Sequence, residues 1–121
     1  ADAEHLSEAD FFGIASGNTV SDKFERTEMH AIRSEYVDAP VIEEWPLTLE
    51  CKVIEAADNV TGFRVVGQII NVLADEEVLT DKGTVDPTKL HAIVFSQFDN
   101  GYYTVGKHVG DAWSSGKKFL Y

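Results

Sequence analysis

Residues 47–74 read LTLECKVIEAADNVTGFRVVGQIINVLA, and this stretch decides the fold. Leu47, Leu49, Cys51 and Val53 fall on one face of an extended chain, with Thr48, Glu50 and Lys52 on the other. Side chains alternate across a strand, so this period of two is the signature of a half-buried strand. Asp58-Asn59-Val60-Thr61-Gly62 supplies turn chemistry, and Phe63 to Ala74 then runs apolar on both faces in places. The two halves predict an antiparallel hairpin. Cys51 sits on the apolar face, which predicts burial rather than reactivity. A strand apolar on both faces needs cover on both sides, here by helices or by a second subunit.

Working outward, Asp75-Glu76-Glu77 ends the second strand and Asp81-Lys82-Gly83 forms a turn. Asp86-Pro87-Thr88-Lys89-Leu90 starts a helical turn with proline at its first position. Two more strands, Ile93 to Phe95 and Tyr102 to Val105, flank the turn Asp99-Asn100-Gly101. Upstream, Ala39-Pro40 and Trp45-Pro46 open the β region. Before it, Ser7 with Asp10 three residues on resembles a capping box at the start of a helix, which Gly17-Asn18 should end. A second short helix is predicted at Asp22 to Arg26, capped by Ser21. The sum is a mainly β, antiparallel domain of about five strands with short flanking helices.

Length and charge bound the function. The 121 residues suit one domain, residues 1–121. Twenty-one acids against ten bases give a formal charge of −11, which disfavours nucleic acid and anionic membrane surfaces as partners. No apolar run approaches the ~20 residues that span a bilayer. One cysteine, no disulfide and no signal-peptide pattern in ADAEHLSEAD point to a reducing, cytoplasmic setting. His5, His30, His91 and His108 show no metal-ligand spacing, and no GxSxG, P-loop or GxGxxG is present.

Four stretches together resemble one family. EADFFGIASGNTVSDKFERT (8–27) is similar to a helical segment ADxFGxxSG followed by DKF, and VDAPVIEEWPLTLECKVIE (37–55) to a strand DAPxIEExPxxLEC. DEEVLTDKGTVDPTKL (75–90) and YYTVG followed by KHVGDAWSSGKK (102–118) match the family's DEEVLxxDGxxDPxKL and YYxLG…G segments in the same order. The family is that of flavin reductases and flavoredoxins, the FMN-binding split barrels. Its domains begin with further β-strands ahead of the ADxFG helix, so the resemblance covers the C-terminal portion of such a domain. Asn71-Val72-Leu73-Ala74-Asp75 departs from it, with leucine where many relatives have histidine.

The resemblance implies an antiparallel Greek-key split barrel, a homodimer and bound FMN. Electrons would pass from NAD(P)H through the flavin to a flavin, an iron or a protein acceptor. Such chemistry belongs to the cofactor and needs no catalytic side-chain triad; none is found. Ser16, Gly17 and Lys23 are the candidates for the FMN phosphate, which wants amides, hydroxyls and a cation. Tyr102 and Tyr103 are candidates for walling the flavin ring. Each group has a plain alternative: a helix stop with a surface lysine, and one core tyrosine beside one interface tyrosine. Phe11, Phe12 and Trp45 are expected in the core or an interface. Two other functions stay open: a non-catalytic dimeric binding or structural module, and an FMN electron carrier without a nicotinamide site.

Overall fold

A computed structural model describes residues 1–120. Helices α1 (Leu6–Ile14) and α2 (Lys23–Thr27) lead into strands β1 (Ala31–Arg33), β2 (Pro40–Ile42), β3 (Leu47–Asn59) and β4 (Gly62–Ala74). A single 3-10 turn (Glu76–Val78), helix α3 (Pro87–Leu90), strands β5 (Ile93–Ser96) and β6 (Gly101–Thr104) and a last 3-10 turn (Lys117–Phe119) complete the order. The strands form three separate antiparallel pairs, β1–β2, β3–β4 and β5–β6. Six strands are present where about five were expected. The extra one, β1, is three residues long, too short for alternation to reveal.

The long hairpin is built as the alternation implies. β3 and β4 have 13 residues each, so it extends ~44 Å at the usual rise per residue. Asn59 faces Gly62 across a two-residue loop, and Gly62 takes φ of 130°, a conformation open to glycine. Two bulges interrupt the ladder. At Glu50/Cys51 the partner steps from Asn71 to Ile69, which leaves Ile70 unpaired. At Val53/Glu55 the unpaired residue is Ile54. Beside the first bulge, a Cβ on Gly67 would lie 3.1 Å from Cys51 Cβ, so glycine permits the close approach there.

The hairpin's burial differs from the expected one. Leu49, Cys51 and Val53 are exposed, and the buried residue of β3 is Glu50, 3% accessible. The cause is that no described residue covers the apolar side chains: Val53, Ile54, Phe63, Val65, Ile69 and Ile70 all lie open. The helices pack elsewhere. Phe12 meets Phe24 at 5.1 Å and Trp45 edge-on at 6.4 Å between ring centroids, with Phe11 alongside at 6.2 Å. This half-buried aromatic cluster adjoins a small core in which Met29, Val41 and Val78 are the buried apolar side chains.

The helix starts also differ. α1 begins one residue ahead of Ser7, and Asp2 Oδ1 accepts from the His5 amide (3.0 Å) and from His5 Nδ1 (2.8 Å) in place of a Ser7–Asp10 box. α2 starts after Asp22 rather than Ser21, and the Asp22 carboxylate takes Arg26 Nε at 3.0 Å instead of capping the amides. The proline-started turn is as expected: Asp86 accepts from Thr88 N (2.8 Å) and Lys89 N (3.3 Å). Asn100 at φ 54° makes the tight β5–β6 turn.

The accessible surface is 9804 Å². A compact monomer of 13.4 kDa exposes about 6,500 Å² by the usual mass scaling. The excess, roughly 3,300 Å², comes from the uncovered hairpin and the extended residues after Thr104.

Candidate functional site

α1 organises the candidate site residues. Its C-terminal end runs into the loop Ala15–Asp22, where Ser16 O accepts from Thr19 N (3.0 Å), Val20 N (2.9 Å) and Thr19 Oγ1 (3.2 Å). Ser16 Oγ accepts from Asn18 N at 3.3 Å, so its own hydroxyl proton has no acceptor among the described residues. The Gly17 amide likewise donates to no described group, and a Cβ on Gly17 would meet nothing within 4 Å. Lys23, half-buried, reaches back across the loop and donates to Phe12 O at 3.1 Å. One of its three ammonium protons therefore ties the end of α1, and the others remain for a ligand.

The field at this loop is not the expected one. It lies at the C-terminal end of α1, whose partial charge is negative, and ahead of α2, which is only five residues long. Attraction for an anion here rests on Lys23, the Ser16 hydroxyl and free amides, with little help from helix dipoles.

Tyr102 and Tyr103 point to opposite sides of β6, as alternation requires. Tyr102 Oη donates to Asp10 Oδ1 on α1 at 2.8 Å, and its ring lies 5.5 Å from that of Phe95. The hydrogen bond to the Asp10 carboxylate raises the Tyr102 pKa, which keeps the phenol protonated. Tyr103 Oη donates to Asp99, which raises the Tyr103 pKa and lowers that of Asp99. α1 is thus touched at two points, by Lys23 at Phe12 O near its end and by Tyr102 at Asp10, while Ser16 and Gly17 lie in the loop that follows it. Tyr103 stands apart, turned to its own hairpin.

Sequence reasoning passed over two side-chain junctions. Asp10, taken as half of a capping box, instead joins α1 to β6. Glu50, taken as the solvated side of a strand, accepts from Ser34 Oγ and Asn71 Nδ2. Ser34 Oγ in turn accepts from the amides of Tyr36 and Val37, both at 3.0 Å. The partners of Asp10 and Glu50 are 16 to 92 residues away, and no local spacing signals them.

Two of the cavities lie apart from the candidate residues. One of about 610 Å³ is lined by Asp2, His5, Glu44, Glu77, Lys89 and His91 among others, and another of about 340 Å³ by Tyr36, Val41, Glu50 and Leu73 among others. Neither includes Ser16, Gly17, Lys23, Tyr102 or Tyr103. The described residues hold no group of three or more side chains arranged for a metal ion. No helix among them is long and apolar enough to cross a membrane. The donor set at Ser16, Gly17 and Lys23 fits a phosphate; Tyr102 and Phe95 offer one aromatic wall and leave its far side open.

No family model matches the chain, and no curated protein does. Solved structures do. Flavoredoxin of Desulfovibrio vulgaris is 32% identical with a TM-score of 0.86 over 95% of this chain. Flavoredoxin from Methanosarcina acetivorans is 31% identical with a TM-score of 0.85 over 97%. A split-barrel protein of the flavin reductase type from Shewanella frigidimarina shares the fold at 22% identity and a TM-score of 0.76. This chain spans 61% of the length of each flavoredoxin chain. The architecture is accordingly that of the flavin reductase-like split barrels, as the sequence motifs imply.

Proposed function

We propose that this chain is the C-terminal portion of one flavin reductase-like domain, residues 1–121, and works as an FMN-dependent oxidoreductase of the flavoredoxin type. The observation that carries the proposal is the agreement of sequence and fold: 32% identity and a TM-score of 0.86 to a flavoredoxin over 95% of the chain. In this reading the protein is a cytoplasmic homodimer. It takes electrons from NAD(P)H and passes them to a flavin, an iron or a protein acceptor.

Bound FMN supplies the redox chemistry, and the chain supplies binding and positioning. The Ser16 hydroxyl, the Gly17 amide and the Lys23 ammonium would hold the phosphate. Tyr102, fixed by Asp10 and backed by Phe95, would flank the ring. Tyr103, whose hydroxyl donates to Asp99 within its own hairpin, is the second candidate for walling the ring. The apolar faces of β3 and β4 lie open among the described residues of this chain, which spans 61% of the length of each flavoredoxin chain.

The same exposure favours a second reading. Because one chain leaves the ring side open, these residues could form a dimeric binding module that holds no flavin, or a carrier that holds FMN without a nicotinamide site. Anaerobic mixing of the FMN-loaded protein with NADPH or NADH separates the readings. Loss of the oxidised-flavin absorbance supports the oxidoreductase, bound FMN that stays oxidised supports the carrier, and failure to load FMN supports the module.

A further inference from the structure

The turn between β5 and β6 carries the pair Asn100-Gly101, and the fold leaves little choice at either position. Asn100 takes φ of 54°, a left-handed conformation that asparagine enters more readily than most side chains. At position 101 a Cβ would lie 3.2 Å from Asp99 Oδ1 and 3.3 Å from Tyr103 Cε2, so any residue but glycine would push one of them aside.

The same two residues make the pair reactive. Asn100 is exposed, and its side chain has no hydrogen-bond partner among the described residues, so the carboxamide is free to turn toward the next amide. Gly101 has no side chain to shield its nitrogen. The other three asparagines are less favoured. Asn18, Asn59 and Asn71 precede Thr19, Val60 and Val72, whose β-branched side chains crowd the nitrogen that would attack. Asn71 is also tied, its Nδ2 donating to Glu50, and Thr19 N is held by Ser16 O at 3.0 Å. The reacting atoms all belong to two adjacent residues, so the step does not depend on what covers the rest of the chain.

We propose that Asn100-Gly101 is a self-modification site, where a succinimide forms and its hydrolysis leaves aspartate or isoaspartate at position 100. Gly101 N attacks Asn100 Cγ, and the new N–Cγ bond replaces Cγ–Nδ2. The proton from Gly101 N leaves with Nδ2 as ammonia, with no oxidation or reduction. Water then opens the imide. Opening at Cγ gives aspartate. Opening at the main-chain carbonyl gives isoaspartate, whose backbone runs through Cβ and gains a carbon atom.

Isoaspartate lengthens the turn that sets the register of β5 on β6. Asp99 Oδ1 accepts from Gly101 N at 3.2 Å and Oδ2 accepts from Tyr103 Oη, and both contacts cross the altered link. The pairs Phe95 with Tyr102 and Val94 with Tyr103 lie directly beyond it. Conversion therefore loosens both candidates for the ring wall as the protein ages. The effect on flavin rests on the reading above; the chemistry at Asn100 does not.

The test is timed incubation of the full chain in heavy-oxygen water at mildly alkaline pH, followed by tryptic mapping. The peptide of residues 90–107 should gain the mass of an amide-to-carboxyl conversion at least about tenfold faster than the peptides holding Asn18, Asn59 or Asn71. Electron-transfer fragmentation should place isoaspartate at position 100. Amide exchange should quicken over residues 93–104 of the aged protein and not in β3–β4. Asn100→Gly keeps a residue suited to positive φ without the carboxamide, and it should show neither change. The FMN dissociation constant should rise several-fold in the aged parent and stay constant in the aged variant. An unmodified 90–107 peptide, or the same mass gain in Asn100→Gly, overturns the site. Conversion at Asn100 with unaltered exchange overturns its effect on the turn. Fresh protein that binds no FMN overturns the flavin reading and leaves the site standing.

Discussion

Removing the Glu50 carboxylate should destabilise the molecule more than any other single polar change. Glu50 is 3% accessible and sits on β3, where it accepts from Ser34 Oγ in the β1–β2 turn and from Asn71 Nδ2 on β4. It therefore joins the short hairpin to the long one through side chains. In Glu50→Ala two hydrogen bonds to a charged acceptor are lost, at about 1.5–3 kcal/mol each, and the buried Ser34 hydroxyl is left without an acceptor. The end of the carboxylate's desolvation cost offsets part of this. The net expectation is a loss of about 2–4 kcal/mol. Glu50→Gln discriminates the cause. Ser34 Oγ already accepts from two amides, so it can only donate to the new amide oxygen. Asn71 must then turn its own amide to offer an oxygen, which makes the expected loss smaller, about 1–2 kcal/mol. Urea unfolding at one fixed protein concentration measures both. An alanine variant within about 0.5 kcal/mol of the parent, or a glutamine variant worse than the alanine one, would refute the reasoning.

Further predictions concern charge and the candidate site. His30 Nδ1 lies 2.6 Å from Glu44 Oε1, which raises the His30 pKa above 6.5, while hydrogen bonds from His30 lower that of Glu44 below 4.5. The histidine's contribution is full below 6.5 and fades as pH rises through its raised folded value; the glutamate's is full above 4.5 and fades as pH falls through its lowered one. The melting-temperature gap between the parent and His30→Gln should therefore be widest between pH 4.5 and 6.5, and a gap independent of pH would count against the pair. Lys23→Met should weaken FMN by roughly tenfold or more and riboflavin far less, as expected for a lost charge-assisted phosphate contact; equal losses measured by fluorescence titration would mean that Lys23 acts only through Phe12 O. Tyr102→Phe should free the junction of α1 with β6, seen as faster amide exchange in Leu6–Ile14 with β3–β4 unchanged; unaltered exchange would remove Tyr102–Asp10 as that junction.

Much of the backbone plan was legible. Strands β3 and β4, the Asp86-Pro87 helix start and the Asn100 turn all follow from local rules of alternation, proline placement and turn chemistry. Those rules act over a few residues, and so do the features they detect. What they could not show is which face of β3 would be covered. Leu49 and Val53 obey the pattern of a buried face, yet they lie open because covering them requires surface that this chain does not fold against them. Glu50 shows the converse: a charge on the polar face is buried because Ser34 and Asn71 converge on it from 16 and 21 residues away. The candidate site divides in the same way. The Ser16–Lys23 loop could be found from its residues and from the resemblance, whereas the Asp10–Tyr102 bond spans 92 residues and appears only in three dimensions.

The most direct test of the central claim is a fluorescence titration of FMN into the 121-residue chain. The account predicts quenching that saturates near one flavin per chain, with riboflavin binding more weakly because it lacks the phosphate that Ser16, Gly17 and Lys23 would hold. Undiminished flavin fluorescence in protein that circular dichroism shows to be folded would contradict it.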